Sequence, residues 1–140
     1  MTVDASQAVL GGLVASVVWF VIGGALYMNP VVAKLYKRAE DSAALKKWAS
    51  VPKYVGLQYI GILAQCLLWA FVYAVVAPVL PEMLLTKGLV FGFILVALKV
   101  FPRLFDMWIQ STYPNKLLGV EFVNGIIGSL VVGVVFAYVI

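Results

Sequence analysis

At 140 residues the chain suits a single domain, and its 64% hydrophobic and 11% charged composition, against about 25% charged in soluble domains, excludes a fold dispersed in water. The formal net charge of +4 does not point to nucleic acid, because six of the ten basic residues fall between Lys34 and Lys53, in one loop between apolar runs. With no histidine and a single cysteine, Cys66, the sequence excludes His-ligated haem, a His-containing metal site, histidine acid–base catalysis and membrane dithiol chemistry.

No residue from Ala5 to Ala33 is charged, more than the roughly 20 apolar residues that a spanning helix needs. A first helix is expected over about 7–28. Asp4 stands where a signal peptide carries basic residues, and the apolar run exceeds an h-region, so this segment is expected to be retained. Asn29-Pro30 then provides a cap and a first-turn proline for a new helix. The connector, about 29–53, sets Lys34, Lys37, Arg38, Glu40, Asp41, Lys46, Lys47 and Lys53 around Val31, Leu35, Leu45 and Trp48. One or two short amphipathic helices at the membrane surface fit this pattern, with a break at Glu40-Asp41-Ser42.

A second helix is expected over about 54–77, ended by Pro78 and Pro81. The third occupies about 86–110. Pro102 removes its hydrogen bond to Leu98 and favours a kink near Lys99. Tyr113-Pro114-Asn115-Lys116 closes it, and a fourth helix follows over about 117–139. The fold class is therefore all-α: a polytopic, up-down bundle of four transmembrane helices forming one membrane domain over 1–140. Because the long connector and the Lys116 turn are basic, both are expected in the cytoplasm, with both termini outside.

Helix four carries Gly125, Ser129, Gly133 and Ala137 at fourfold spacing, and helix three carries Gly88 and Gly92. Such rows allow close helix approach, either within the chain or between chains. Polar residues inside spans carry more information, since a charge at the bilayer centre costs about 2.5–3.5 kcal/mol. Lys99, Arg103 and Asp106 share one face of helix three; Gln58 and Gln65 share a face of helix two with Tyr54 and Gly61. Counting rise per residue puts Gln58, Arg103 and Glu121 roughly 5–6 Å inside the cytoplasmic boundary, and Lys99 and Asn124 roughly 10 Å inside. The matching levels predict that Glu121 pairs with Arg103 or Lys99, with Gln58 and Asn124 hydrogen-bonding nearby. Two alternatives stand beside this: both cations snorkel to the headgroups, or they line a transport pathway.

Lys34, Lys37, Arg38, Lys46 and Lys47 also suit an anionic leaflet, at about 1 kcal/mol each. As an orientation device they need no further role.

Helix one ends in Trp19-Phe20-Val21-Ile22-Gly23-Gly24-Ala25-Leu26-Tyr27-Met28-Asn29-Pro30 and helix four contains Phe122-Val123-Asn124-Gly125. These stretches resemble small bacterial four-helix membrane proteins classed as a domain of unknown function, in which a Gly-x-x-aromatic-Tyr-x-Pro stretch closes the first helix. Leu26 stands where that family usually has its aromatic residue, and the histidine that often follows in helix four is missing. The resemblance implies a bacterial inner membrane and no established activity.

Packing surface is abundant and reactive groups are few. The expectation is a non-catalytic accessory or scaffold protein without a cofactor, which packs against itself or a larger membrane complex through the small-residue face of helix four. The alternative is a small oligomeric transporter or channel in which Lys99 and Arg103 form a cationic cytoplasmic vestibule with Gln65 near the midplane. A membrane enzyme, with Asp106 and Glu121 as its acid–base pair, ranks third.

Overall fold

A computed structural model describes residues 4–140. Asp4 caps the first helix, α1 (Ala5–Met28), its carboxylate accepting hydrogen bonds from the Ser6 and Gln7 amides at 2.9 and 3.3 Å. Asn29 ends α1 and caps α2 (Pro30–Arg38) by accepting from the Val31 amide at 2.9 Å, with Pro30 in the first turn. The short surface helix expected after the first span is therefore present once. The second option, a helix around Leu45 and Trp48, is not adopted: residues 39–50 run through turns. The Ser42 hydroxyl accepts from the Ala44 amide at 3.3 Å, a local bond that favours a turn over a helix.

Ser50 caps α3 (Val51–Val76), which tightens into a 3₁₀ turn at Ala77–Val79 where Pro78 sits. The third span is α4 (Leu84–Leu95), a π-helical turn (Val96–Val100) and α5 (Phe101–Gln110). The π turn is the physical form of the expected irregularity near Lys99. Pro102 has no amide to donate to Leu98, and the Phe101 amide reaches back to Val96. The last helix is α6 (Asn115–Val139). Four helical spans of 24, 29, 27 and 25 residues are each long and apolar enough to cross a bilayer. The expected all-α architecture is present, with helix ends within three residues of the expected ones.

The spans are not equivalent neighbours. α1 and α6 lie at the centre and pack on each other; α3 flanks α1, and α4 flanks α6. Each adjacent pair is antiparallel. α3 and α4 follow each other in sequence but meet mainly through large side chains at the end nearest their connecting turn, where Tyr73 and Phe91 stack edge to face at 5.0 Å and Phe136 of α6 completes a buried aromatic triad.

Small residues set the seams. A Cβ on Gly92 would lie 2.7 Å from the Leu130 backbone and one on Gly88 2.6 Å from that of Val134, while one on Gly133 would collide with the Gly88 carbonyl. Gly125 admits Val100, and Ser129 and Ala137 are buried. The whole row Gly125, Ser129, Gly133 and Ala137 is consumed by packing within the chain. Of the two roles the spacing allowed, the intrachain one is realised, and the face expected to meet another chain is not free. A third small-residue face, on α1, comprises Ala8, Gly12, Ala15 and Ser16; a Cβ on Gly12 would lie 2.9 Å from the Leu67 Cα of α3.

Candidate functional site

The polar residues gather where α2, the α5–α6 turn and the basic connector meet, here called the basic end. Five of them, Tyr27, Tyr36, Tyr113, Glu121 and Asn124, form one cluster. Val32, Leu35, Tyr36 and Ala39 form the half-buried stripe of α2, so α2 folds back over the bundle and delivers the Tyr36 side chain to α6. Its hydroxyl donates to Glu121 Oε1 at 2.6 Å and lies 3.2 Å from the hydroxyl of Tyr113, in the turn before α6. Tyr27, near the end of α1, stacks edge to face on Tyr36 at 5.9 Å and turns its hydroxyl toward Glu121 and Asn124.

Glu121 thus sits among three phenols. Burial first, and then the hydrogen bond to Glu121, hold the Tyr36 hydroxyl protonated far above the usual phenol range; burial also raises the Tyr113 hydroxyl, against the lowering by its bond to Tyr36. One turn deeper, Asn124 is buried, and its Nδ2 makes no hydrogen bond among the described residues. That side chain retains donor capacity for another group.

This arrangement corrects the expected ion pair. The partner of Glu121 is the Tyr36 hydroxyl rather than Arg103 or Lys99. Lys99 leaves the π turn half-buried and faces Cys66 of α3 and Arg103 of α5. Arg103 and Asp106 are exposed on α5, although the charge of Arg103 reaches Tyr27 and Tyr113. Gln58 is exposed on α3, which packs on α1 rather than beside Glu121. Of the proposed polar set, Glu121 and Asn124 belong together. Arg103 adjoins their tyrosine partners, Lys99 faces Cys66 instead, and Gln58 and Asp106 are exposed. In the sequence Tyr113 stands out only as part of the turn that closes helix three and Tyr27 as part of the stretch that carries the resemblance, while no motif marks Tyr36. The spacing of Val32, Leu35, Tyr36 and Ala39 carried the signal.

Two grooves flank the cluster. One, of about 370 Å³, runs between α5 and the start of α6, with walls that include Phe101, Phe105, Trp108 and Phe122. The other, of about 250 Å³, lies between α2 and the start of α6 and includes Arg38 and Lys116. Among the described residues no cluster of His, Cys, Asp and Glu is arranged to hold a metal ion. Lys34, Lys37, Lys46 and Lys47 are exposed, with the Lys46 ammonium 4.4 Å over the Trp48 ring.

Four apolar spans with an interfacial helix locked over one end define a multi-pass α-helical membrane protein. The chain belongs to the family described as "Protein of unknown function (DUF1761)", whose model matches residues 10–137, nearly the whole bundle. The expected membership of a four-helix family without an assigned function is thereby met, and the two stretches that carried the resemblance meet in the structure, where Tyr27 faces Asn124. No curated protein and no solved structure matches the chain.

Proposed function

We propose that this protein is a non-catalytic scaffold of the cytoplasmic membrane, with its basic end in the cytoplasm, and that it assembles with a second copy of itself through α3. The observation that carries this reading is the placement of Gln58 and Gln65 on the exposed surface of α3, on a face that continues through Tyr54, Gly61 and Leu68. A Cβ at Gly61 would meet nothing within 4 Å, so the backbone there is open to close approach. Gln65 lies about 21 Å along α3, well inside the hydrocarbon. An amide in lipid is costly, and interhelical hydrogen bonds between such side chains drive association. Each glutamine both donates and accepts, so the face is self-complementary about a two-fold axis. This contact replaces the α6 row, which packing within the chain has used.

Disulfide trapping in native membranes tests it. In a Cys66→Ser background, Leu68→Cys is expected to form covalent dimers on mild oxidation, and Val21→Cys, equally exposed on α1, is not. Gln58→Leu combined with Gln65→Leu should shift the protein toward monomer in gentle detergent. Equal trapping at both cysteine positions would remove α3 as the contact.

A transporter with a cationic vestibule is the second reading, favoured by one observation: two cations adjoin on the third span, half-buried Lys99, which faces Cys66 of α3, and exposed Arg103 one turn further on. Anion flux into liposomes that falls with Lys99→Ala supports it; flux equal to protein-free vesicles rejects it.

A further inference from the structure

The two grooves at the basic end are parts of one surface. Asn115 borders both, so the apolar groove between α5 and α6 continues into the basic one between α2 and α6. Within the first, Trp108 lies level with Asn115, and Phe101 lies level with Phe122 because α5 and α6 run antiparallel. The trough therefore rises about 10 Å from the interface into the span. Its walls present aromatic and aliphatic carbon, and Phe101, Phe105 and Trp108 are 59, 49 and 59% exposed, with none of the described residues covering them. The second groove places Arg38 and Lys116 on a shared wall with no acidic residue lining it.

We propose that this surface binds one anionic phospholipid, its phosphate between Arg38 and Lys116 and one acyl chain along the Phe101–Trp108 trough. Charge complementarity selects the occupant: two cations meet at the mouth of an apolar trough, and a phospholipid with a net negative headgroup supplies both the countercharge and the chain. The placement of Arg38 is fixed rather than incidental. Tyr36, two residues earlier, is tied to Glu121 and Tyr113, so α2 holds Arg38 over the start of α6. This goes beyond the general attraction of a lysine-rich connector to a membrane, because it names two residues, one of them outside that connector. It is independent of assembly through α3.

Trp108 lines the trough and reports occupancy, since brominated acyl chains quench indole on contact. The protein is reconstituted in phosphatidylcholine vesicles doped with brominated phosphatidylglycerol or brominated phosphatidylcholine, and the Trp108 signal is the difference between wild type and Trp108→Phe. The expected result is half-maximal quenching at about tenfold less brominated phosphatidylglycerol than brominated phosphatidylcholine, the scale set by two interfacial cations. Arg38→Gln with Lys116→Gln should abolish that preference. Lys34→Gln with Lys46→Gln, which removes the same charge from exposed positions elsewhere, should retain it. Equal quenching by both lipids in the wild type, or loss of preference in the Lys34/Lys46 pair as well, would overturn the site. Reversal by millimolar inorganic phosphate would assign the cations to a soluble anion and overturn the lipid.

Discussion

A single hydroxyl decides where α2 lies. Tyr36 donates to a carboxylate at 2.6 Å in a half-buried setting, and hydrogen bonds to charged groups are worth about 1.5–3 kcal/mol before solvent exposure reduces them. Tyr36→Phe keeps the ring on Tyr27 and removes only the donor, so it should weaken α2 docking by about 1–2 kcal/mol. A spin label on Lys37→Cys should then become more mobile, with the four spans intact by circular dichroism. The raised Tyr36 pKa gives this docking a pH dependence of known sign. The hydroxyl stays protonated when docked and ionises near 10 when released, so this phenol adds no pH dependence below about pH 9 and docking weakens as pH rises past about 10. Label mobility that stays flat to pH 11 would contradict that assignment. The site was half legible from sequence: counting rise per residue put Glu121, and Asn124 about one turn deeper, near the same end of the bundle, as found. Their partners were not legible because charge complementarity points Glu121 toward a cation, whereas the phenol of Tyr36, from the short helix α2, satisfies the carboxylate.

The helices themselves were readable because their signals are local: long uncharged runs, Asn29-Pro30 as a paired stop and start, and a proline opposite each irregularity. Which helices touch was not, since four hydropathic segments of similar length admit several arrangements, and the choice rests on where backbones approach closely. The rows on α4 and α6 were visible; the one on α1, which puts that helix at the centre, was not singled out. Two glycine substitutions of equal size separate seam from surface. Gly92→Ala drives a Cβ to 2.7 Å from the Leu130 backbone, and such overpacking costs about 1–3 kcal/mol. Gly56→Ala on α3 meets nothing within 4 Å and should be neutral or slightly stabilising, by up to about 1 kcal/mol from helix propensity. Unfolding in a detergent titration should order the variants Gly92→Ala, wild type, Gly56→Ala in increasing stability; reversed order would place the α4–α6 contact elsewhere.

On the scale of the whole molecule, charge is polarised along the bundle axis. The basic end carries the connector cations together with Arg103 and Lys116, against Glu40, Asp41, Asp106 and Glu121, whereas the opposite end holds Lys87 with Asp4 and Glu82. Insertion is governed by lysine and arginine rather than by net charge, so the count that matters is eight cations at one end and one at the other, with Lys99 within the span. That asymmetry should place α2, the tyrosine–glutamate cluster and the lipid trough in the cytoplasmic leaflet, whose anionic lipids the Arg38–Lys116 pair would then meet. Cysteine labelling reads it directly. In a Cys66→Ser background, a membrane-impermeant maleimide applied to intact cells should modify Glu82→Cys at once and Lys47→Cys only after permeabilisation. Because Lys47 and Glu82 are both exposed and lie at opposite ends, a difference in intrinsic accessibility does not account for the contrast. The opposite labelling pattern would turn the bundle over and leave the basic pair facing the wrong leaflet, although the fold and the docking of α2 would be unaffected.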